Sequence, residues 1–326
     1  MPALARRAIV AWALGMAGLA CAQQAPKPPE RSVTEWLARM QAAAGQHSYA
    51  GTFVVTSNAG ALSSARVWHA CQADKQVERV ETLTGAPRST FRRNDEVVTF
   101  MPDQRMVRIE RREPAPVFPN LPRVAETAIS EHYAARQLGS DRVAGFDADV
   151  VLVAPKDQLR LGYRIWSEKK TGLIVKLQTL GTEGEVLEQA AFSELQLDTG
   201  LKPDKLAQMM TPPEGWRVER MDTAKTTAAA EGWTLKAAVP GFAPVSCYRR
   251  RATSEATMQW VFSDGLATVS LFVEPFDAQR HGREGIMAAG ATQTLTRRIQ
   301  DWWLTAVGEV PAQTLRAFAQ NLERRK

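Results

Sequence analysis

Apolar residues along this chain of 326 residues change their spacing from segment to segment, and each spacing predicts a kind of element. The first regular set has the spacing of one helix face: Val33, Trp36, Leu37 and Met40. Ser32 and Glu35 stand at the spacing of a capping box, in which each side chain bonds the backbone N–H of the other residue. The pattern predicts an amphipathic helix that ends near Gly45.

From residue 48 onward apolar and polar residues alternate, which is the period of a half-buried strand. The predicted strands lie near residues 49–56, 66–71, 76–83, 89–92, 96–101, 105–110, 141–144, 149–153, 162–167, 174–179 and 185–192. A short helical segment is predicted at 124–137, after a proline-rich break. Short consecutive strands with turns between them predict one large, curved antiparallel sheet with helices packed on one face.

The last third of the chain predicts a second, smaller domain. Residues 199–231 show little periodicity, so we interpret them as a linker. Beyond them, two alternating runs flank Asp264-Gly265, as in a hairpin. Strands are predicted at 292–299 and 302–307, and Pro311 suits the first turn of a helix. The fold class is therefore α+β: a large domain at 32–198, and at 232–326 a small antiparallel-sheet domain with a C-terminal helix.

The first 22 residues have the layout of a secretory signal. Two arginines precede an apolar stretch at 8–20, which is shorter than the ~20 residues that a membrane-spanning helix needs. We expect cleavage after Ala22, export from the cytoplasm, a proline-rich tether at 23–31 and a soluble mature chain. Acylation of Cys21, as in a lipoprotein, is the alternative. It fits less well because Gly18 stands where a branched apolar residue is preferred.

Positive charge is concentrated in the last third of the chain. The net charge is +6, from 41 Lys and Arg against 35 Asp and Glu. Residues 23–200 carry 22 of each kind, whereas residues 201–326 carry 17 basic and 13 acidic residues. This excess is too small to indicate nucleic-acid binding in an exported protein. It fits an acidic protein partner, or a solvated basic surface.

After cleavage two cysteines remain, Cys71 and Cys247. An oxidising compartment permits them to pair, but they fall in different predicted domains. A disulfide and two separate thiols therefore both stay open.

Catalytic and metal-binding motifs are absent from the sequence, which has no H-E-x-x-H, G-x-S-x-G, G-x-G-x-x-G, P-loop or C-x-x-C. We interpret the histidines as surface or helix-end residues: His47, His69, His132 and His281. The acid pairs are interpreted as solvated turn residues: Asp147 with Asp149, and Glu183 with Glu185. We expect no enzyme, no cofactor and no metal site. Instead, the small domain with its Ser263-Asp264-Gly265 turn is expected to present a binding surface.

Two sets of basic residues are candidate binding sites. The candidates for an acidic partner are Arg249, Arg250, Arg251, Arg297, Arg298, Trp302 and Trp303. If the two tryptophans lie on a strand, one faces the core and the other the surface. The candidates for a lipid phosphate at a cavity mouth are Arg92, Arg93, Arg111 and Arg112. Protective charge on strand edges is the alternative for this second set.

Several stretches resemble the RseB/MucB family of regulators of an envelope-stress sigma factor. The most specific are Phe262-Ser263-Asp264-Gly265-Leu266-Ala267 and Val307-Gly308-Glu309-Val310-Pro311. Tyr49-Ala50-Gly51-Thr52-Phe53 and Gly85-Ala86-Pro87-Arg88 are also similar to family motifs. The resemblance covers almost the whole mature chain.

The resemblance implies a regulator in the periplasm and not an enzyme. Members of this family bind the periplasmic segment of a membrane-spanning anti-sigma factor of the RseA/MucA type and shield it from proteolysis. The large domain would be an open half-barrel with helices, similar to the carriers of outer-membrane lipoprotein sorting. A lipid or lipopolysaccharide would be the signal that releases the complex. A homo-oligomer stays open, as do two other functions: a lipid or lipoprotein carrier, and a hydrolase whose clustered groups the sequence does not reveal.

Overall fold

Most of the chain forms β-strands in this computed structural model, which describes residues 31–73, 75–111, 129–251 and 256–325. The helices are α1 (Val33–Gln46), α2 (Ile129–His132), α3 (Pro203–Gln208) and α4 (Ala312–Asn321). The signal peptide, Cys21 and the tether up to residue 30 lie outside the described residues. Within them, none of the helices has the length and apolarity that a membrane crossing needs.

Eleven strands build the first and larger sheet. They are β1 (Tyr49–Ser57), β2 (Leu62–Gln72), β3 (Lys75–Thr82), β4 (Ser89–Arg93), β5 (Glu96–Met101), β6 (Met106–Arg111), β7 (Tyr133–Val143), β8 (Phe146–Pro155), β9 (Gly162–Glu168), β10 (Ile174–Leu180) and β11 (Val186–Leu197). They pair antiparallel in the order β6-β5-β4-β3-β2-β1-β11-β10-β9-β8-β7. Helix α1 contacts both β2 and β7, which are far apart in this order, so the sheet curves around the helix. The predicted curved sheet is confirmed.

Helix α1 forms for the reason that the sequence predicts. The N–H of Glu35 donates to Ser32 Oγ at 3.2 Å, and the N–H of Ser32 donates to Glu35 Oε2 at 2.7 Å. The helix buries Trp36 and Leu37, which pack with Tyr133 of β7. Both the capping box and the apolar face of this helix are confirmed.

The helical segment predicted at 124–137 is wrong in its second half. Within the described residues, α2 ends at His132, and Tyr133 begins β7. That strand pairs along its length with β8, from Tyr133 opposite Pro155 to Val143 opposite Phe146. Helix propensity is a weak preference, and pairing in the sheet overrides it here.

Nine further strands follow, and they build the second sheet and a short ribbon. They are β12 (Arg217–Lys225), β13 (Trp233–Leu235), β14 (Ala243–Arg251), β15 (Ala256–Ser263), β16 (Thr268–Pro275), β17 (Gly285–Ala289), β18 (Thr292–Ile299), β19 (Trp302–Gly308) and β20 (Leu322–Arg324). The second sheet has the order β12-β14-β15-β16-β19-β18-β17, and β13 pairs with β20. The predicted hairpin, the two later strands and the helix after Pro311 are confirmed. Strands β13, β14, β17 and β20 were not among the predicted elements.

The segment interpreted as a linker, 199–231, contains a helix and a strand that its weak periodicity did not predict. Helix α3 packs Leu206 into a core on the large sheet, next to Trp216. Strand β12 pairs in parallel with β6 through its first half, as at Arg217 opposite Met106. Its second half pairs antiparallel with β14, as at Lys225 opposite Tyr248. One strand therefore belongs to both sheets. The domain boundaries at 198 and 232 stay a prediction.

Candidate functional site

The turn between β15 and β16 is buried against the large sheet. Asp264 is 5% exposed and Leu266 is 7% exposed. Leu266 packs in the same core as Trp36 of α1 and Tyr163 of β9. The expectation that this turn helps to present a surface is therefore wrong, because the turn inserts into the larger half of the molecule.

The carboxylate of Asp264 bonds in two directions. Its Oδ1 accepts from the N–H of Leu266 at 2.9 Å and from the N–H of Ala267 at 2.7 Å, which closes the turn. Its Oδ2 lies 2.8 Å from Nε of Arg160 and accepts from the hydroxyl of Tyr133 at 2.9 Å. Tyr133, Arg160 and Asp264 form what we call the junction cluster.

Arg160 is fully buried at the centre of the junction cluster. Its guanidinium also pairs with Asp157, donates to the carbonyl of Pro240 at 2.8 Å and lies 5.1 Å from the ring centre of Phe242. Burial raises the pKa of the Tyr133 hydroxyl, and neighbouring Tyr163 and Asp264 add to the shift, so this hydroxyl stays a donor. A buried charge pair is costly to break by removing one partner, because the remaining charge is left buried and unpaired.

Further contacts join the second sheet and α4 to the large sheet. The hydroxyl of Thr314 in α4 donates to the carbonyl of Leu159 at 2.7 Å. The turn between β17 and β18 lies against β1, where a Cβ added to Gly290 would be 3.2 Å from Cβ of Ser57. Together with β12 and the junction cluster, these contacts hold the two sheets in one arrangement.

The arginines of β14 are engaged within the chain. Arg249 donates to Oε2 of Glu231 from Nε at 3.0 Å and from Nη2 at 2.7 Å. Arg250 donates to Oε1 of Glu110 at 3.1 Å, which connects β14 to β6 across β12. The side chain of Arg251 lies outside the described part of the structure. Both described arginines stabilise the fold, so their availability to a partner stays a hypothesis.

The arginines of β18 lie elsewhere in the second sheet. Arg297 donates to the carbonyl of Ala319 in α4 at 3.2 Å. Arg298 donates to the carbonyl of Gln300 at 2.7 Å, and its guanidinium lies 4.0 Å from the ring centre of Phe276. A partner contact at Arg297 or Arg298 stays a hypothesis.

The two tryptophans of β19 face opposite sides, as the strand prediction requires. Trp303 is 5% exposed and stacks on His281 with ring centres 5.0 Å apart. Trp302 is half-buried, with Trp233 at its edge and the guanidinium of Arg324 at 4.3 Å from its ring centre. Trp302 is therefore the more exposed of the pair.

The basic residues predicted at a lipid-cavity mouth have different surroundings in the part of the chain that the structure describes. Arg92 lies 3.8 Å from the buried Glu78, while Arg93 pairs with Glu96 at 3.1 Å on the exposed side of β4. Arg111 is exposed at the end of β6, and Arg112 lies outside the described residues. Their role as a phosphate site stays a hypothesis.

Two of the histidines depart from the prediction of surface or helix-end positions. His69 is 4% exposed and stacks on Tyr49, and the side chain of His281 is 6% exposed against Trp303. His47 caps the C-terminal end of α1 and His132 ends α2, as predicted. The described residues contain no group of three or more His, Cys, Asp or Glu that could hold a metal ion.

Cys71 and Cys247 are both free thiols. Burial raises the pKa of the Cys247 thiol to about 11, and the negative charge of Glu231 adds to the shift. A thiol with so high a pKa is a poor nucleophile at neutral pH.

A carboxylate of the second sheet faces the large sheet. Glu309 follows β19 and is reached by solvent, yet burial raises its pKa and the charge of Glu188 on β11 adds to the shift. Burial likewise raises the pKa of Tyr163 on β9, and Glu309 contributes to that shift. The charge of Glu309 therefore interacts with groups of the large sheet.

Comparison with known proteins matches both parts of the chain. The model of the MucB/RseB N-terminal domain matches residues 32–210, and that of the MucB/RseB C-terminal domain matches residues 227–323. The sigma factor AlgU regulatory protein MucB of Pseudomonas aeruginosa is 30% identical over 318 residues, covering 91% of this chain and 92% of that protein. The sigma-E factor regulatory protein RseB of Haemophilus influenzae is 26% identical over 296 residues, covering 90% and 92%.

Solved structures give the same result. A crystal structure of MucB in complex with MucA(peri) has a TM-score of 0.66 at 26% identity and covers 90% of this chain and 99% of that one. The complex structure of Pseudomonas aeruginosa MucA/MucB has a TM-score of 0.67 with the same identity and coverage.

Proposed function

Because this chain belongs to the MucB/RseB family, we propose that it is a periplasmic negative regulator of a sigma factor, which acts by binding the periplasmic segment of a transmembrane anti-sigma factor. The observation that carries the proposal is the match of both family models in order along one chain. The relatives of known structure support the choice of partner, since they are described in complex with MucA.

The mechanism that we propose is steric protection. A protease needs free access to the backbone of its substrate segment, and a segment held on this protein is not accessible to it. The contacts that join the two sheets support this proposal, because a surface of fixed shape loses little conformational entropy when it binds. A signal would release the segment only if it bound the free protein more tightly than the complex.

Binding and protection are measured together with the mature chain and the periplasmic segment of its anti-sigma factor. Isothermal titration gives the affinity, and digestion of the segment by its protease is followed with and without the mature chain. We expect a saturable complex and slower cleavage. An unrelated periplasmic protein serves as the control. If the mature chain neither binds nor slows cleavage, the proposed function is wrong.

The arginine hypothesis needs a folding control. Changing Arg249, Arg250 and Arg251 to Glu removes the ion pairs with Glu231 and Glu110, so weaker binding could follow from a damaged fold. The affinity of the triple variant is therefore compared with that of the unaltered chain under conditions in which both are folded to the same extent. Urea unfolding of each protein establishes these conditions. Lost affinity in a fully folded variant supports a direct contact.

We also propose that a lipid-like molecule releases the complex. The test adds lipopolysaccharide or a lysophospholipid to the preformed complex and measures free segment. Release that weakens in the Arg93→Ala and Arg111→Ala variants supports a phosphate contact at these exposed residues. Unchanged complex at saturating lipid contradicts this part of the proposal. Transfer of acyl chains between vesicles would instead support a carrier.

A further inference from the structure

The strand β17 forms an open edge of the second sheet. It pairs with β18 and with no other strand among the described residues, whereas β12 at the opposite end continues into the large sheet. Its sequence, Gly-Ile-Met-Ala-Ala, has no charged residue and no proline, and Met287 is 68% exposed. Proteins usually protect such edges with charge, proline or a bulge, because unpaired N–H and C=O groups can pair with another chain. The edge of β17 has none of these protections.

The turn to β18 fixes which backbone groups of β17 point outward. Gly290 has φ of +60°, as the first central position of a type II′ turn requires, and Ala289 lies opposite Thr292. The residues that close such a two-residue turn bond each other, and bonded and non-bonded pairs then alternate along the ladder. The N–H and C=O groups of Ile286 and Ala288 therefore face away from β18.

A groove of about 560 Å³ lies between this hairpin and α4. Its apolar lining includes Ile286, Leu295 and Ala319, and its basic lining residues are Arg297 and Arg316. An edge strand beside a helix is the arrangement in which extended peptides add a strand to a sheet. Alternate side chains of an added strand point to one face of the sheet, and on the α4 side the groove can receive them.

The charge of the groove selects the kind of peptide. Arg297 and Arg316 are exposed, and neither makes an ion pair with another described residue. Glu284 is the acidic residue at the groove lining. Two guanidiniums against one carboxylate favour a peptide that carries an acidic side chain, since Arg bonds carboxylates in a two-pronged geometry.

We propose that an extended, acidic segment of the anti-sigma partner adds to the free edge of β17 as a further strand. Its backbone bonds the outward groups of Ile286 and Ala288. An apolar side chain of the segment packs in the groove, and a carboxylate binds Arg316. The identity of the partner rests on the proposed function, whereas the pairing edge rests on the geometry of β17 and α4.

Two variants test the edge in the mature chain. Ala288→Pro removes an outward N–H and leaves the bonds to β18, and Arg316→Glu reverses the charge at the groove. Each is expected to raise the Kd for the partner segment at least about tenfold, the equivalent of about 1.4 kcal/mol. The matched controls are Ala288→Val, which keeps the N–H, and Arg105→Glu, which makes the same charge change at an exposed turn of the large sheet. Both controls are expected to bind within about twofold of the unaltered chain.

Hydrogen exchange of the unaltered chain gives a second readout. The amides of Ile286 and Ala288 should exchange more slowly once the segment is bound. If the unaltered chain does not bind at all, the proposed function fails. If it binds and protects, but both edge variants bind equally well and the two amides stay unprotected, only the edge proposal fails. If Ala288→Pro does not fold, the edge proposal is tested by the affinity of Arg316→Glu and by hydrogen exchange of the unaltered chain.

A second copy of this chain is the other candidate occupant of the edge. In that case Ala288→Pro lowers the mass of the assembly in sedimentation and leaves the affinity for the partner segment unchanged. That result would overturn the proposal.

Discussion

At the residue scale, Gly241 shows how little room the junction cluster has. Its φ is +77°, and an added Cβ would overlap Nη2 of Arg160 and lie 2.6 Å from Nε2 of His132. Gly215 has the same φ of +77° with nothing within 4 Å of an added Cβ. Substitution of either glycine would therefore strain the backbone, but only at Gly241 would the new Cβ also collide with neighbouring side chains.

We predict that Gly241→Ala destabilises the chain more than Gly215→Ala. The positive φ costs each variant about 1–2 kcal/mol. Displacing Arg160 adds about 1–3 kcal/mol for Gly241→Ala. Urea unfolding of the two variants measures the difference. Equal losses would show that the junction cluster rearranges freely around the new methyl group.

The raised pKa of Glu309 leads to a prediction about how the stability of the chain depends on pH. Its folded pKa lies above the ordinary value of 4.5, because burial and the charge of Glu188 disfavour the carboxylate. Between those two values the folded chain binds more protons than the unfolded chain, so stability falls as pH rises. The contribution of Glu309 is thus fully present below pH 4.5 and is lost as pH rises through the folded pKa.

Glu309→Gln should remove this part of the pH dependence. We expect the variant to gain stability relative to the unaltered chain as pH goes from about 4 to about 7. The measurement is the difference in free energy of unfolding by urea at the two pH values. A difference that stays constant, or that shifts in favour of Glu309, contradicts a raised pKa of this carboxyl group.

At the scale of elements, local patterns predicted what local contacts determine. Helix α1 and the hairpin of β15 and β16 depend on residues a few positions apart, so their caps, spacing and turn are visible in the sequence. Strand β7 was predicted in part as helix, because Tyr133–Val143 carries residues that also suit helices and only its pairing with β8 decides. Strand β12 was not predicted, because its own sequence shows little periodicity. Its pairing with β6 before it and β14 after it decides its structure, and these contacts leave no local pattern.

The pairing of β12 predicts resistance to trypsin. Arg217, Arg220 and Lys225 are cleavage sites within a strand that is paired along its whole length, first with β6 and then with β14. Cleavage requires that the strand leave these partners. Limited digestion of the native chain should spare these three bonds, and mass spectrometry identifies the cuts. Digestion after heat denaturation is the control and should cleave all three. Early native cleavage there, giving two fragments, would mean that the segment behaves as a flexible linker.

At the scale of the whole molecule, the decisive contacts join residues that no local pattern connects. Tyr133 and Asp264 lie 131 residues apart, and Asp264-Gly265 has the sequence of an ordinary exposed hairpin turn. The sequence therefore predicted the turn correctly but not its burial. The same holds for Arg160, whose charge gives no sign that it is fully enclosed.

Because the junction cluster joins the two sheets, we predict that they unfold together. Asp264→Asn keeps the Oδ1 that bonds the N–H groups of Leu266 and Ala267 but removes the charge beside Arg160. We expect a loss of about 1.5–3 kcal/mol, the value of a charge-assisted bond. Asp157→Asn removes the other carboxylate at Arg160, and it should cost less than about 1 kcal/mol because that side chain is 37% exposed.

Calorimetry distinguishes a joined molecule from two independent sheets. Since β12 and the bond from Arg250 to Glu110 survive in Asp264→Asn, one transition should remain and move to a lower temperature. If instead the variant shows two transitions, with one at the original temperature, the large sheet is stable without the second sheet. Equal shifts in the two Asn variants would mean that burial of the pair at Asp264 adds nothing to its strength. A single, larger shift for Asp264→Asn is the result that a buried ion pair between the sheets requires.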